Sequence, residues 1–80
     1  MREDIKPLFD IARERAEQRE ASSEPFELKQ LFSRQEWKKF TNDVRRELGR
    51  EFSYQASKGR INGVCYAGES QEHHNIYLKS

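Results

Sequence analysis

The sequence has little from which disulfides, membrane spans or secretion signals could be built. Its 80 residues contain one cysteine, Cys65, which excludes an internal disulfide. No apolar run is long enough for a signal peptide or a membrane-spanning helix, and the mean hydropathy is −1.13. We therefore expect a cytoplasmic chain with no membrane partner.

Catalytic motifs are missing as well. The chain contains no nucleophile elbow, no phosphate-binding loop and no metalloprotease spacing. Serine, histidine and acidic residues are present, but almost every soluble protein contains them. We predict that the protein is not an enzyme and that it needs no cofactor.

Cys65, His73 and His74 raise the question of a metal site, because thiolate and imidazole are zinc ligands. Neighbouring residues on a strand point to opposite faces, so the two histidines cannot both join Cys65 at one ion without a bulge. A fourth ligand is also missing. We predict no metal site and interpret Cys65 as a small, buried hydrophobic residue of a strand.

The charge balance is uneven along the chain. Hydrophobic residues make up 34% and charged residues 36%, so a single compact domain must bury most of its large apolar side chains. The formal net charge is only +1. However, Arg45 to Arg60 contain five basic and two acidic residues, whereas both the first and the last twenty residues are net acidic. Positive charge is thus concentrated on one element, as in many nucleic-acid-binding domains.

An N-terminal helix is predicted from about Asp4 to Glu20. Its apolar residues fall on one helical stripe, and Pro7 fits only if it lies within the first turn. The run Ala21–Pro25 contains serine and proline and interrupts this pattern, so we interpret it as a linker. The sequence then divides into an N-terminal helix with its linker, 1–22, and a second segment, 23–80.

The second segment begins with Phe26–Phe32, which predicts a short strand-like start followed by a helical turn. Ser33 and Glu36 match a capping box that opens a helix through about Phe40. Trp37 and Phe40 are expected to form the buried face of that helix. After a short turn, a second and longer helix follows, and this arrangement is typical of a helix-turn-helix.

The longer helix is expected to be capped by Thr41 or Asn42 and terminated by Gly59. Its apolar residues recur every four positions and should form one core with Leu31, Trp37 and Phe40. These stripe residues are Val44, Leu48, Phe52 and Ala56. Gly49 interrupts the helix at a cost of about 1 kcal/mol relative to alanine. We favour close packing of the helix that carries Trp37 as its reason, with close approach of a DNA backbone as the alternative.

Beyond Gly59 the pattern changes to two short β-prone runs. They are separated by turn-forming residues, which predicts an antiparallel β-hairpin with its tip near Ser70. A helix-turn-helix followed by such a hairpin is the order of a winged helix-turn-helix. We therefore predict an α+β fold, a small winged helix-turn-helix with three to four helices and a C-terminal antiparallel β-hairpin.

Five stretches carry a resemblance to known proteins: Leu28-Lys29-Gln30-Leu31-Phe32, Glu36-Trp37, Leu48-Gly49-Arg50-Glu51-Phe52, Gly59-Arg60-Ile61-Asn62-Gly63-Val64 and Asn75-Ile76-Tyr77. Together they resemble a family of short, largely uncharacterised single-domain proteins of Gram-positive bacteria and their mobile elements, and they are similar to the small winged-helix DNA-binding accessory proteins of conjugative plasmids. The resemblance spans roughly Phe26 to Lys79 and implies a winged-helix fold without assigning an activity.

The face of the longer helix opposite its apolar stripe carries arginines and hydroxyl side chains, which can contact phosphates and base edges. We therefore predict a DNA-binding accessory or regulatory protein that binds double-stranded DNA with this helix and with the hairpin as a wing. The candidate DNA-binding residues are Arg45, Arg46, Arg50, Ser53, Tyr54, Ser57, Lys58, Arg60, His74, Asn75 and Lys79. The acidic hairpin tip, with Glu69 and Glu72, makes the wing the weaker half of this site.

Three alternatives stay open from the sequence. The charged helix face could be a solvated surface held by intrahelical ion pairs. The protein could instead be a protein-protein interaction module, for example a small mobile-element protein that binds or inhibits a host protein. The apolar stripe of the N-terminal helix could also contribute to a homodimer.

Overall fold

A computed structural model describes all residues, 1–80, as three α-helices followed by a two-stranded antiparallel hairpin. This confirms the predicted small α+β domain. None of the helices combines the length and apolar composition needed to cross a bilayer. The helices are α1 (Lys6–Glu17), α2 (Arg34–Lys39) and α3 (Asn42–Ser57), a 3-10 helix (Leu28–Leu31) precedes α2, and the strands are β1 (Val64–Glu69) and β2 (Asn75–Lys79).

Helix α1 packs along α3 and is shorter than predicted at both ends. Pro7 lies in the first turn, where its missing N–H has no partner to lose. The helix ends after Glu17, and the Arg19 guanidinium lies over the ring of Phe26 at 4.5 Å from its centroid. Residues 18–20, which were predicted to be helical, therefore lie outside α1, and Arg19 covers Phe26.

The apolar stripe of α1 is covered by its own chain. Ile5, Phe9, Ala12 and Ala16 are buried in the same core as the residues of α3. After the helix, the Ser22 backbone N–H donates to the carbonyl of Lys79 in β2 at 3.1 Å. The segment 1–22 thus packs against the segment 23–80.

The chain between α1 and α2 begins as an extended segment and continues as a helical turn, as the sequence predicted. Phe26 forms an antiparallel bridge with Tyr77, with reciprocal backbone hydrogen bonds of 2.8 and 2.9 Å. Glu27 then caps the 3-10 helix, because its backbone N–H donates to the side chain of Gln30 at 2.6 Å. This segment is placed against the outer edge of β2.

Helix α2 is short and opens with the predicted capping box. Ser33 Oγ accepts the Glu36 N–H at 3.1 Å, and Glu36 Oε1 accepts the Ser33 N–H at 2.8 Å. The Glu36 carboxylate also accepts hydrogen bonds from both terminal nitrogens of Arg15, at 2.9 and 3.2 Å. This bidentate pair holds α2 against α1 and, with the cap, lowers the pKa of Glu36 to about 2.

Glu36→Gln is expected to lower stability at neutral pH, because glutamine keeps the neutral cap and loses the ion pair. The folded pKa of about 2 lies below the ordinary value of 4.5, so the carboxylate stabilises the fold above about pH 4.5. That contribution is lost as the pH falls toward 2. Thermal melts across this range should therefore show a weaker acid dependence for the variant. Glu20→Gln, on an exposed residue, is the control, and equal acid dependence of Glu36→Gln and wild type would contradict the prediction.

Helix α3 follows α2 after two residues and has the predicted limits. Thr41 Oγ1 accepts the Val44 N–H at 3.2 Å, so threonine is the cap. At the other end, Gly59 adopts a φ of +70°, the left-handed conformation that commonly ends a helix. Between these ends, α3 packs against both α1 and β1.

The hairpin pairs Val64 with Lys79 and Tyr66 with Tyr77. The register shifts between Tyr66 and Glu69, so a bulge bends the distal half of the strands. The tip lies at residues 70–74, where the Ser70 N–H donates to the His74 carbonyl at 2.8 Å. The predicted antiparallel hairpin with its tip near Ser70 is confirmed.

The core lies where α1, α3, the 3-10 helix and β2 meet. Leu31, Leu48 and Phe52 are buried in it as predicted, but Trp37, Phe40 and Val44 are only partly buried and pack against its edge. The predicted buried face of α2 is confirmed in part: Trp37 and Phe40 pack against the core but stay partly exposed, because the six-residue helix lies at its edge. The largest fully buried side chains are Tyr77, Phe26, Phe52, Ile5, Leu48 and Ile61.

Candidate nucleic-acid interface

An open groove of about 1300 Å³ runs along α3 and is bounded by the hairpin tip and the start of the 3-10 helix. It brings together eight of the eleven candidate residues, from two separate parts of the chain. These are Arg45, Arg46, Arg50, Ser53, Tyr54, Ser57, His74 and Asn75. Lys58, Arg60 and Lys79 lie outside the groove lining.

On α3, the groove is lined by a row of residues spaced four, three and four positions apart. Arg46, Arg50, Ser53 and Ser57 therefore share one face of the helix. The Arg46 side chain is exposed and forms none of the domain's salt bridges. Arg50 Nη1 lies 2.9 Å from Glu47 Oε1, but its side chain is 75% exposed. Such an exposed pair contributes little stability and exchanges readily for another anion.

Gly49, three residues after Arg46 and one before Arg50, also lines the groove. A Cβ atom built at Gly49 has no atom within 4 Å. The predicted packing of the Trp37 helix against this glycine is therefore wrong, because Trp37 packs against Phe32 and Phe40 instead. The helix backbone at Gly49 faces open space.

Arg45 borders the groove, but its guanidinium is held by α2. Nη2 donates to the carbonyl of Trp37 at 2.8 Å, and the guanidinium lies 5.2 Å from the centroid of the Trp37 ring. The Nε atom is buried without a hydrogen-bond partner. These contacts join the C-terminal end of α2 to the start of α3, so Arg45 already has a role in holding the two helices together.

Tyr54 lies at the C-terminal half of the groove and is 51% exposed. Lys58 Nζ is 5.6 Å and Arg60 Cζ is 5.9 Å from its ring centroid. Two of the three candidate cations outside the groove lining are thus gathered beside Tyr54. A second positive group stands at the end of α3 away from Arg46.

The hairpin side of the groove is formed by its tip. His74 Nδ1 lies 2.9 Å from Glu27 Oε1, which links the tip to the 3-10 helix. His73 has a φ of +65° and lies 3.6 Å from Glu69. Asn75 Oδ1 accepts the Tyr66 hydroxyl at 3.2 Å. Each histidine at the tip is thus adjacent to a carboxylate.

Tyr77 supports the groove from below. Its ring is buried and contacts Phe52 of α3 edge to face at 4.8 Å, while Phe26 and Tyr66 lie at 5.8 and 6.0 Å. Burial raises the pKa of Tyr77 to about 12, and hydrogen bonding to Ser53 and Asn75 opposes the rise. Through this one side chain, α3, the hairpin and the inter-helix segment are held at one relative position.

Two residues of the sequence hypotheses lie away from the groove. Lys79 is at the base of the hairpin, where its Nζ donates to the Ser80 carbonyl at 3.3 Å. Cys65 is exposed on β1, so its interpretation as a buried residue is wrong. It pairs with Leu78 near the base of the hairpin, whereas the histidines lie at the tip.

The charge of the domain is divided between its two halves. Residues 33–60, which contain α2 and α3, hold eight Lys or Arg and four Asp or Glu. The other residues hold seven Lys or Arg and ten Asp or Glu. The helix pair is therefore net positive and the remainder net negative. The groove is lined by residues of both parts, including the carboxylates of Glu27 and Glu51.

The sequence hypothesis missed Glu27, Lys29, His73 and Tyr77 as lining residues. Glu27 caps the 3-10 helix and Lys29 lies within it, and nothing in the local pattern indicates that this segment lies beside the hairpin tip. The Glu27 and Gln30 capping pair was readable from its spacing. This spacing predicts where a helix begins, but it does not predict that the segment lines a groove.

Residues 12–79 match the family model described as Domain of unknown function (DUF1413). The match covers most of the chain, so the chain belongs to this family. It begins inside α1 and thus includes more of the N-terminal helix than the stretch from Phe26 onward. No curated protein and no solved structure shows significant similarity to the chain.

Proposed function

We propose that this member of the DUF1413 family is a small DNA-binding accessory or regulatory protein with a winged helix-turn-helix arrangement. In this proposal α2 and α3 form the helix-turn-helix, α3 is the recognition helix and the hairpin is the wing. The order α1, bridging segment at Phe26, α2, α3 and hairpin supports this arrangement. The sequence resemblance to small winged-helix proteins of conjugative plasmids points to the same arrangement.

One observation carries the proposal: the exposed guanidiniums of Arg46 and Arg50 and the hairpin tip border the same open groove. A duplex backbone binds to a concave or flat surface whose basic side chains can contact phosphate. Phosphate contacts supply most of the non-specific affinity. Arg46 has no anionic partner to exchange, and Arg50 has only an exposed one. Ser53, Tyr54 and Ser57 then offer hydroxyls further along the helix.

Not all of the candidate residues serve the proposal equally. Arg46 and Arg50 are the main phosphate contacts, with Lys58 and Arg60 as a second group beside Tyr54. Arg45 acts mainly by joining α2 to α3. On the wing, Glu69 and Glu72 repel phosphate, so His74 and Asn75 make the weaker contact.

A protein-protein interaction module is the second candidate function. It is favoured by the acidic hairpin tip and by the partly exposed Trp37 and Phe40, which would suit a protein partner better than DNA. A homodimer through α1 is a further proposal, and its contact surface would be the outer side of the helix around Leu8 and Ile11, because the inner stripe is covered.

Fluorescence anisotropy of a labelled mixed-sequence duplex tests the proposal. The wild-type chain should bind, and affinity should fall steeply with salt, because each neutralised phosphate releases a counterion. Contact with about four phosphates predicts a loss of roughly a hundredfold between about 50 and 200 mM salt. Absence of binding at low salt would reject DNA as the ligand. A salt-independent affinity would instead favour an apolar interface.

A further inference from the structure

We propose that Gly49 is the point at which the DNA backbone comes closest to α3, with one phosphodiester seated over the glycine between Arg46 and Arg50. This inference rests on the proposed function. It assigns a positioning role to a residue that has no functional side chain. It also places the phosphate backbone of the duplex, and not its bases, at the centre of the groove.

Nothing inside the fold requires glycine at position 49. Glycine is among the least favourable residues inside a helix, because it adds backbone freedom to the unfolded chain. A mid-helix glycine is usually explained by a neighbouring element that leaves no room for a side chain. At Gly49 a Cβ would meet no atom within 4 Å, so the fold itself accommodates alanine.

Gly49 has basic and hydroxyl-bearing residues beside it on α3. Gly49 is three residues after Arg46 and four before Ser53, so the three share one face of α3 with Arg50 beside them. All four line the groove. The missing side chain therefore leaves a notch on the helix surface beside the row of Arg46, Arg50 and Ser53, with Arg46 and Ser53 as its neighbours one turn away. These side chains supply hydrogen-bond donors along one border of the open space.

The side chains beside the notch determine which chemical group of DNA can bind there. Two guanidiniums and a hydroxyl are donors that suit phosphate oxygens, and arginine can bind phosphate in bidentate fashion. An arginine can also bind the O6 and N7 acceptors of guanine, but one guanine edge is fully occupied by one guanidinium. A phosphodiester has more acceptor lone pairs on its two free oxygens, so both arginines and the serine can share it. A side chain at position 49 would lift it away from both arginines.

The test compares the wild type with Gly49→Ala and Gly49→Gln. Each variant should be more stable, with a melting temperature higher by roughly 4 to 8 °C for alanine, because a helix former replaces glycine without a clash. Each should nevertheless bind a mixed-sequence duplex more weakly. We expect a loss of about threefold for alanine and at least about tenfold for glutamine, the latter being the loss of one charge-assisted hydrogen bond.

Asn42→Gln is the matched control, because Asn42 is exposed on the same helix and lies outside the groove lining. It should leave affinity unchanged. Binding of both Gly49 variants at wild-type strength would overturn the inference while leaving the proposed function intact. A lower melting temperature would also overturn it, because position 49 would then be packed. A wild-type chain that fails to bind duplex DNA would overturn both.

Discussion

Arg46→Ala with Arg50→Ala is expected to weaken duplex DNA binding by at least several-fold and to flatten its salt dependence. Each neutralised phosphate contributes about 0.9 to the slope of log affinity against log salt, so two lost contacts should reduce that slope by about 1.8. Both side chains are exposed, so the fold should be unaffected. Anisotropy titrations at several salt concentrations, with circular dichroism of the free proteins, measure both effects.

The charge-matched control is Lys6→Ala with Arg13→Ala on α1, which also removes two exposed cations but lies outside the groove lining. Its slope should stay close to that of the wild type. Arg60→Ala with Lys79→Ala should have a smaller effect than the Arg46 and Arg50 pair, because only Arg60 lies near the groove, beside Tyr54. If the α3 double variant keeps both affinity and slope while folded, α3 is not the DNA-contacting surface.

Tyr77→Ala is expected to destabilise the domain strongly and to lower its melting temperature by more than about 10 °C. Removing a buried aromatic ring costs about 3 to 5 kcal/mol. A domain of this size has a total stability of only about 4 to 12 kcal/mol. The loss should be near the upper end, because the ring contacts Phe26 and Phe52 from two other elements. Near-ultraviolet circular dichroism and thermal melts measure the outcome.

Tyr77→Phe separates the ring from the hydroxyl. It keeps the aromatic contacts and loses a group whose hydrogen bonding involves Ser53 and Asn75, so it should cost only about 1 kcal/mol. It should retain a cooperative melt. A Tyr77→Ala protein that melts cooperatively within a few degrees of the wild type would show that the hairpin and α3 are held together by other contacts.

The local elements were predictable because their signals are short-range. Ser33 with Glu36, Thr41, and Gly59 each act within about one helical turn, and the helix boundaries follow from them. The hairpin was equally readable, because β-prone runs flanked a polar turn. Positive charge on α3 was visible as a local excess of arginine and lysine. The order of elements and the candidate helix face were thus determined by the sequence alone.

The depth of burial was not predictable from local patterns. Trp37 and Phe40 were expected in the core, but α2 is too short to carry them below its edge, whereas Ile5, Phe26 and Tyr77 come from distant segments and fill it. Hydrophobic periodicity identifies which face of an element is covered. It does not identify which elements meet, because that depends on contacts between residues far apart in the chain.

The groove itself was decided by tertiary structure. Arg46 and Arg50 were identified from the sequence, but the opposite wall depends on the bridge between Phe26 and Tyr77, which brings Glu27 beside His74. The same packing decided that Arg45 is engaged by Trp37 and that Gly49 faces open space. A sequence specifies residue types and local conformation through interactions within a few residues. Which side chains face a shared space depends on long-range packing, and only the folded chain determines it.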